Sequence, residues 1–484
     1  MEKITVPSSA IIAIQNRFAM IAARFTLTAL LVSAVISFTI PGSTQSAAEV
    51  QSAYRSAAFS AGANPSAAKI GDLDGDNLND IAVVNLQGSL QLFFNNGAGS
   101  FERISLNGLW PSNSSTLDVE IGDLNGDGRN DIAVAFSTQT GAVSVLLNQG
   151  NRVFTAPVNY NLCNSSRGVA IGDLDQDGDN DLADISQCSR AGILLNNGQG
   201  SFGFNGTYGS GSASKSIALA DFNRDGFKDI AYVNNVVSGS ATVIYNNRNG
   251  TFGSPVHLYA GDLPDDVTTG DFDGDGTPDI AIANSYYSQI IILYNDSPSG
   301  GFSGYSELAG ADTPTSIAPA DFDGDGRTDL AVTSWGTSRL SIFKNQGNYN
   351  FSVQTLDVGQ HPADVTAAKL DGDSLPDLVA VNQGSGSITV LFSAGGAPPP
   401  PPPPPSITLT LSTRVTNKAR LVDLSWSGAT GSRVDIYRND LRITTESNTG
   451  RYTDLLNRRA TGTFRYKVCI SGGQGCSGEA VISF

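Results

Sequence analysis

From about residue 65 to residue 393 the chain alternates short apolar runs with turn-rich segments. Runs such as SIALA (216–220), DIAVAF (131–136) and DIAIAN (279–284) are too short for helices and carry a period of two, so they predict strands. An acidic segment joins one such run to the next: DLDGDNLND from Asp72, DLNGDGRND from Asp123, DLDQDGDND from Asp173, DFNRDGFKD from Asp221, DFDGDGTPD from Asp271, DFDGDGRTD from Asp321 and KLDGDSLPD from Lys369. Their starts lie 51, 50, 48, 50, 50 and 48 residues apart. A third apolar run follows each pair, and after an Asn/Gly turn a fourth opens with an aromatic residue, as at Phe101, Phe154, Phe202, Phe252, Phe302 and Phe351. Four short strands in each unit of that length describe a propeller blade.

Seven units predict an all-β, seven-bladed β-propeller. The seventh unit has a third strand, SITVLF (387–392), but no fourth. An unpaired copy of the fourth strand, YRSAAFSAG from Tyr54, precedes the first acidic segment. This strand is expected to pair near Ile388–Phe392 and complete the last blade, removing an exposed sheet edge. The propeller is assigned to 49–397. Before it, Arg17 and Arg24, the uncharged run Phe25–Ile40 and the small residues Ser46, Ala47 and Ala48 make a signal-peptide pattern over 1–48, with Met1 or Met20 as the start. Its sixteen apolar residues fall short of the roughly 20 that a spanning helix needs, so no membrane span is expected after cleavage. Pro398–Pro405 is an unbroken proline run, expected to form a stiff polyproline II spacer about 25 Å long. Beyond it, residues 406–484 read as seven strands, a small C-terminal β-sandwich.

The acidic segments carry the chemistry. Each places oxygen donors at positions 1, 3 and 5, a backbone carbonyl at 7 and an Asp at 9, while a residue tolerant of the left-handed conformation at 6 allows the bend. The expected ligand sets are Asp72, Asp74, Asp76, Leu78 and Asp80; Asp123, Asn125, Asp127, Arg129 and Asp131; Asp173, Asp175, Asp177, Asp179 and Asp181. The next three loops add Asp221, Asn223, Asp225, Phe227 and Asp229; Asp271, Asp273, Asp275, Thr277 and Asp279; Asp321, Asp323, Asp325, Arg327 and Asp329. The EF-hand alternative fails because position 12 is a strand residue, Val83, rather than Glu. Ordinary solvated turns share this composition, but six matching copies favour a cation, and Ca²⁺ suits the oxygen donors. Six structural calcium ions are expected. In the seventh loop Lys369 and Ser374 replace Asp and Gly, so that loop is expected to be metal-free, with the ammonium of Lys369 pairing with Asp371, Asp373 or Asp377.

These loops and their trailing Asn-x-Gly-x-Phe turns, for example Asn196–Phe202, resemble the FG-GAP/VCBS repeat family, which includes the propellers of integrin α subunits. The resemblance covers about Tyr54 to Phe392. It implies calcium on one face and ligand contacts on the other, with adhesion proteins and fungal lectins among the similar members. Trp426 and Tyr466, the latter three residues before Cys469, make the tail similar to a fibronectin type III module. The local pairs Cys163/Cys188 and Cys469/Cys476 suit an oxidising compartment and disulfide bonding.

Charge and composition narrow the function. The chain of 484 residues carries 46 acidic and 29 basic side chains, a formal charge of −17, which argues against nucleic acid as a partner. The tail from Ser406 has 11 basic and 6 acidic residues, so the acidity sits in the repeats. Only two histidines occur, His257 and His361, and no nucleophile elbow, phosphate loop or zinc spacing is present. Asp184 stands where Val134 stands one repeat earlier, either as a functional acid or as a carboxylate satisfied by water. Trp110, Tyr286, Tyr287, Trp335 and His361 fall in the loops of the expected ligand face, where they either contact a ligand or pack on neighbouring loops. The reading is a secreted, monomeric, calcium-binding protein for extracellular adhesion or recognition of a glycan or protein. Its rival is a carbohydrate-active enzyme, a lyase or hydrolase, on the same scaffold.

Overall fold

Strand follows strand because each acidic segment reverses the chain within nine residues, leaving no length for a helix. The computed structural model describes residues 54–393 and 407–484, apart from 98, 111–113, 138–141, 163–164, 187–189, 298–299, 417–418, 428, 430–432, 440, 471–476 and 478–479. The signal pattern over 1–48, the spacer 398–405, and Cys163, Cys188 and Cys476 with their expected disulfides lie outside the described residues. Every element among the described residues is a strand.

Seven four-stranded antiparallel sheets account for residues 54–393. Sheet 1 runs Pro65–Gly71, Asp80–Asn85, Ser89–Asn95, Phe101–Asn107, and the pattern repeats through sheet 6, Pro314–Ala320, Asp329–Ser334, Arg339–Asn345, Phe351–Asp357. Sheet 7 consists of Pro362–Ala368, Asp377–Asn382 and Ser387–Ser393, with Tyr54–Ser60 as its outer strand. In that pairing Tyr54 lies opposite Ser393 and Phe59 opposite Ile388.

The strand patterns reflect what covers each face. Second strands such as Asp80–Asn85 and Asp279–Asn284 are buried at every position, so they read as continuous apolar runs. Fourth strands such as Phe351–Asp357 alternate between exposed and half-buried residues, as an outer edge should. The core is divided into hydrophobic clusters, each shared by two consecutive sheets: Leu92 and Phe94 pack with Val134 and Phe136, Tyr232 and Ile230 with Ile185 and Ile193. The series returns on itself, since Ile81 and Phe93 of sheet 1 pack with Val379, Ile388 and Phe392 of sheet 7. The second residue of every acidic loop (Leu73, Leu124, Leu174, Phe222, Phe272, Phe322, Leu370) is buried in one of these seams. The first strands of all seven sheets together line one channel with a volume of about 410 Å³. This arrangement is consistent with a β-propeller.

Residues 407–484 form two further sheets. Thr408–Val415, Ala419–Ser427 and Arg451–Asn457 make one, and Leu441–Ser447, Arg433–Arg438, Thr463–Ile470 and Ala480–Ser483 the other. They share a core around Trp426, Val434, Ile436, Tyr466 and Val468. Buried Tyr466 donates its hydroxyl to Asp454 Oδ2 at 2.7 Å, and Arg438 pairs with the same carboxylate. Trp426 Nε1 donates to Asn448 Oδ1 at 2.8 Å.

Asp184 sits in register in the second strand of sheet 3, opposite Val169, and is 1% exposed. Ser166 donates to its Oδ1, whereas Oδ2 has no partner among the described residues. Burial pushes its carboxyl up to about 7. A raised folded-state pKa favours the fold fully below the unfolded value near 4, and that contribution is lost as the pH rises through about 7. Asp184→Asn is therefore expected to raise the thermal midpoint at about pH 8, with the gain shrinking toward about pH 4. Calorimetry across that range checks it, and an unchanged midpoint at the alkaline end would count against a destabilising charge.

Candidate metal centres and the opposite end of the channel

The loop backbone is organised by its own carboxylates. In the first loop Asp72 accepts from the N–H groups of Gly75 and Asn77, at 2.7 and 2.9 Å, and Asp76 accepts from Leu78 N. The fifth and sixth loops repeat this with Gly274 and Gly276 on Asp271, and Gly324 and Gly326 on Asp321. Both positions 4 and 6 take positive φ. Position 6 is the more demanding, because glycine or asparagine holds it in the first six loops, whereas Gln176 (φ 62°) and Arg224 (φ 55°) take position 4 in loops 3 and 4. The seventh loop bends left-handed only at Gly372, since neither Ser374 nor the lysine at position 1 can reproduce the bond.

The ninth residue does more than the ligand role expected of it. Asp80, Asp131, Asp181, Asp229, Asp279, Asp329 and Asp377 are all fully buried. One oxygen of each accepts from the N–H at loop position 2 and the other from a residue at the end of the third strand: Asp80 takes Leu73 N and Asn95 N, Asp279 takes Phe272 N and Asn295 N. Desolvation pushes these carboxyls up, to about 6 in Asp80 and about 7 in Asp279, against the pull of the two N–H bonds. A carboxylate offers about four acceptor sites, so each still has room for a cation.

The asparagine at the end of the third strand is a functional residue that reading the sequence missed. Its Nδ2 reaches two carbonyls, one in its own loop and one in the loop of the preceding sheet. Asn148 donates to Asn130 O and Leu73 O, Asn246 to Lys228 O and Leu174 O, Asn345 to Thr328 O and Phe272 O. Asn95 closes the series by donating to Asn79 O and Leu370 O. The signal was its regular placement, 15 to 17 residues after the ninth-position Asp, which had been read only as a turn.

Carboxylate oxygens gather within 4.8 Å of one another in five loops: Asp72/Asp74/Asp80, Asp173/Asp175/Asp181, Asp271/Asp273/Asp279, Asp321/Asp323/Asp325 and Asp371/Asp373/Asp377. An all-oxygen donor set on one short loop fits a hard dication such as calcium. In loops 2 and 4 the third position is Asn125 or Asn223, and the fifth-position carboxylates are held by arginine, Asp127 by Arg129 and Asp225 by Arg248 at 3.0 Å. Arginine also engages Asp74, through Arg152 of the next sheet at 2.8 Å, and Asp325, through Arg327. No ion pair among the described residues touches the third loop's aspartates. The seventh loop corrects an expectation. Lys369 forms no ion pair among the described residues and offers its carbonyl to Asn79 instead. Asp371, Asp373 and Asp377 converge as the carboxylates of four other loops do, so this loop too could hold a cation.

At the other end of the channel lie the expected ligand-face residues. Trp110 is not among the exposed ones: it is 5% exposed, packs near Phe136 and donates from Nε1 to Ser144 Oγ at 2.7 Å. An indole with its N–H satisfied in a seam between sheets 1 and 2 is core. Tyr286 and Tyr287 are 61% and 51% exposed and meet edge to face at 5.0 Å, with Tyr287 donating to Asp262. Trp335 stacks on exposed His361 at 4.9 Å. Thr313 links the two pairs, donating from N to Ser288 Oγ and accepting at O from Trp335 N. His257 is a strand residue between Thr242 and Ser210. Below this rim a collar of side chains ties neighbouring first strands. Asp118 accepts from Val169 N, Asp266 from Ile317 N and Asp364 from Ala68 N, at 2.8–3.0 Å, while Ser216 and Ser316 donate to Asp266 and Asp364. Burial raises these three carboxyls.

The family described as FG-GAP-like repeat matches residues 72–134, 123–183, 173–232, 221–282, 271–332 and 321–380, each match opening on the first Asp of a loop. Two crystal structures of BBS1N in complex with ARL6DN, one soaked with mercury and one with lead, match with TM-scores of 0.50. They are 14% and 13% identical, covering 71% and 72% of this chain and 98% and 99% of theirs, a likeness of fold alone. No curated protein matches the chain.

Two outcomes are expected. Asn246→Ala leaves two buried carbonyls without a donor and should cost about 1–3 kcal/mol in chemical denaturation, while Asn247→Ala, on the exposed side of the turn, should cost little. Arg327→Ala frees Asp325 and should tighten cation binding at the sixth loop, read as stronger terbium luminescence at limiting metal; unchanged binding would show that the arginine does not compete.

Proposed function

The chain belongs to the FG-GAP-like repeat family, and on that premise we propose that it is a secreted protein whose seven sheets form a closed, calcium-stabilised propeller for recognition or adhesion outside the cell. In this reading the proline run spaces the propeller from a fibronectin type III-like module, and the cysteines form local disulfides. Oxygen-rich loops of this kind hold calcium at about 10⁻⁴ to 10⁻³ M in extracellular modules, so each site adds roughly 0.4 to 1.4 kcal/mol at millimolar calcium. Several sites together rival the ~5 to 15 kcal/mol stability of a whole domain. Bound calcium supplies positive charge where the carboxylates converge. The protein's own residues do the rest, carbonyls and Asp side chains fixing the loop that links one strand to the next.

The observation that carries recognition is the separation of the two ends. Cation-type loops follow the C-terminal ends of the first strands, while half-exposed aromatic side chains (Tyr286, Tyr287, Trp335) cluster with His361 at the opposite end. Exposed aromatics of this kind suit a glycan or a protein surface. The channel carboxylates Asp118, Asp266 and Asp364 are occupied as acceptors between strands, which favours binding over general acid–base work.

The test is an array of glycans and cell-surface polymers probed with the mature protein in millimolar calcium and again with chelator, while cleaved products are assayed. Calcium-dependent binding without products is expected, weakened by Tyr287→Ala or Trp335→Ala. Product release would favour the enzyme reading, and the absence of any binding would sink recognition. Chelation is separately expected to lower the thermal midpoint, and Asp273→Asn to reduce that calcium-dependent increment.

A further inference from the structure

The channel opens, at the end away from the acidic loops, into a cavity of about 280 Å³. That is the low end of ligand-site sizes, room for one ring rather than a chain. Its lining is chemically mixed. Arg167, the second residue of its strand, is partly buried there, and its Nε has no hydrogen-bond acceptor among the described residues. Lys215 beside it is neutralised by Asp265. Asp118 and Asp364 line the cavity, and each accepts two hydrogen bonds from protein groups, fewer than the roughly four that a carboxylate can take. Half-buried Trp335 forms part of the wall, its ring held by the stack on His361.

Three ligand classes can be weighed against this set. A cation would use the carboxylates but repel Arg167 and leave its N–H unmet. An anion would meet Arg167 but face the carboxylates. A neutral polyol satisfies both, because each hydroxyl donates to a carboxylate and accepts from a guanidinium. Water could do the same, but water has no use for a flat indole in the wall, whereas the apolar face of a sugar ring does. Resting on the recognition reading above, we propose that the channel mouth binds a single neutral pyranose ring at the end of a glycan. Arg167 donates to a ring or hydroxyl oxygen, Asp118 and Asp364 accept from hydroxyls, and Trp335 stacks on the C–H face.

The test uses the full chain in millimolar calcium and saturation-transfer NMR with free glucose, mannose, galactose and N-acetylglucosamine, alongside glucuronate and choline. Transfer to at least one neutral sugar is expected. Arg167→Met and Trp335→Ala should each weaken it at least tenfold, and Arg167→Lys, which keeps the charge but loses the planar fork, should also weaken it. Phe204→Ala, on an exposed outer strand and outside the cavity lining, should leave it unchanged, and thermal midpoints near that of the parent would show that the variants fold. No transfer to any neutral sugar, transfer that survives both substitutions, or transfer confined to glucuronate or choline would overturn the proposal. The two readings fail separately. Array binding that persists in the Arg167 and Trp335 variants leaves recognition standing and moves it to another surface, while a parent protein that binds nothing on the array ends the recognition reading itself.

Discussion

A buried aspartate at the ninth position of each acidic loop holds the repeat together. Taken out of water, its carboxylate is costly unless both oxygens are satisfied, and in every repeat they are, by an N–H from the loop's start and an N–H from the end of the third strand. That double acceptance fixes the loop against the sheet behind it. The asparagine it positions then reaches across to the preceding sheet, so one buried group sets both the internal geometry of a repeat and its seam with the neighbour. Sheet 7 is the exception: Ser393 occupies the asparagine's place, keeps the N–H bond to Asp377, and has no amide to extend.

Charge is managed differently at the two ends of the channel. On the loop side, aspartates converge and are offset by arginines in some loops and by no ion pair among the described residues in the third. This makes the loops unequal as cation sites although their sequences look alike. On the opposite side the carboxylates are spread around the collar, and each accepts a backbone N–H of the adjoining strand. There they act as mortar between strands, and among the described residues a buried cationic nitrogen, Arg167 Nε, is left without a partner.

Much of this was legible before any coordinates. Strand period, repeat length and the acidic loops follow from local spacing, and the missing fourth strand of the last repeat pointed to Tyr54–Ser60 by count alone. What stayed hidden depends on contacts between residues far apart in the chain, from 34 positions for Trp110 and Ser144 to 290 for Asn79 and Lys369. The cross-sheet role of Asn148 and Asn246 is invisible because either would be equally at home in an ordinary turn. Trp110 looked like a loop aromatic because nothing local shows that Ser144 waits to accept its N–H. Lys369 stands in a ligand position of its loop, but its carbonyl meets Asn79, 290 positions away, a contact that no local pattern shows.

The pairing of Tyr54 with Ser393 has a mechanical consequence. The seven-sheet array begins at Tyr54 and ends at Ser393, and these two residues face each other at the same end of one antiparallel pair. Tension between the segments before Tyr54 and after Ser393 would not shear that pair along its length, where all its bonds resist together. It would peel the strands apart one bond at a time, from Tyr54 toward Ser60. The strand pair that completes sheet 7 is therefore built as a zipper, and tension applied this way opens it from the Tyr54 end.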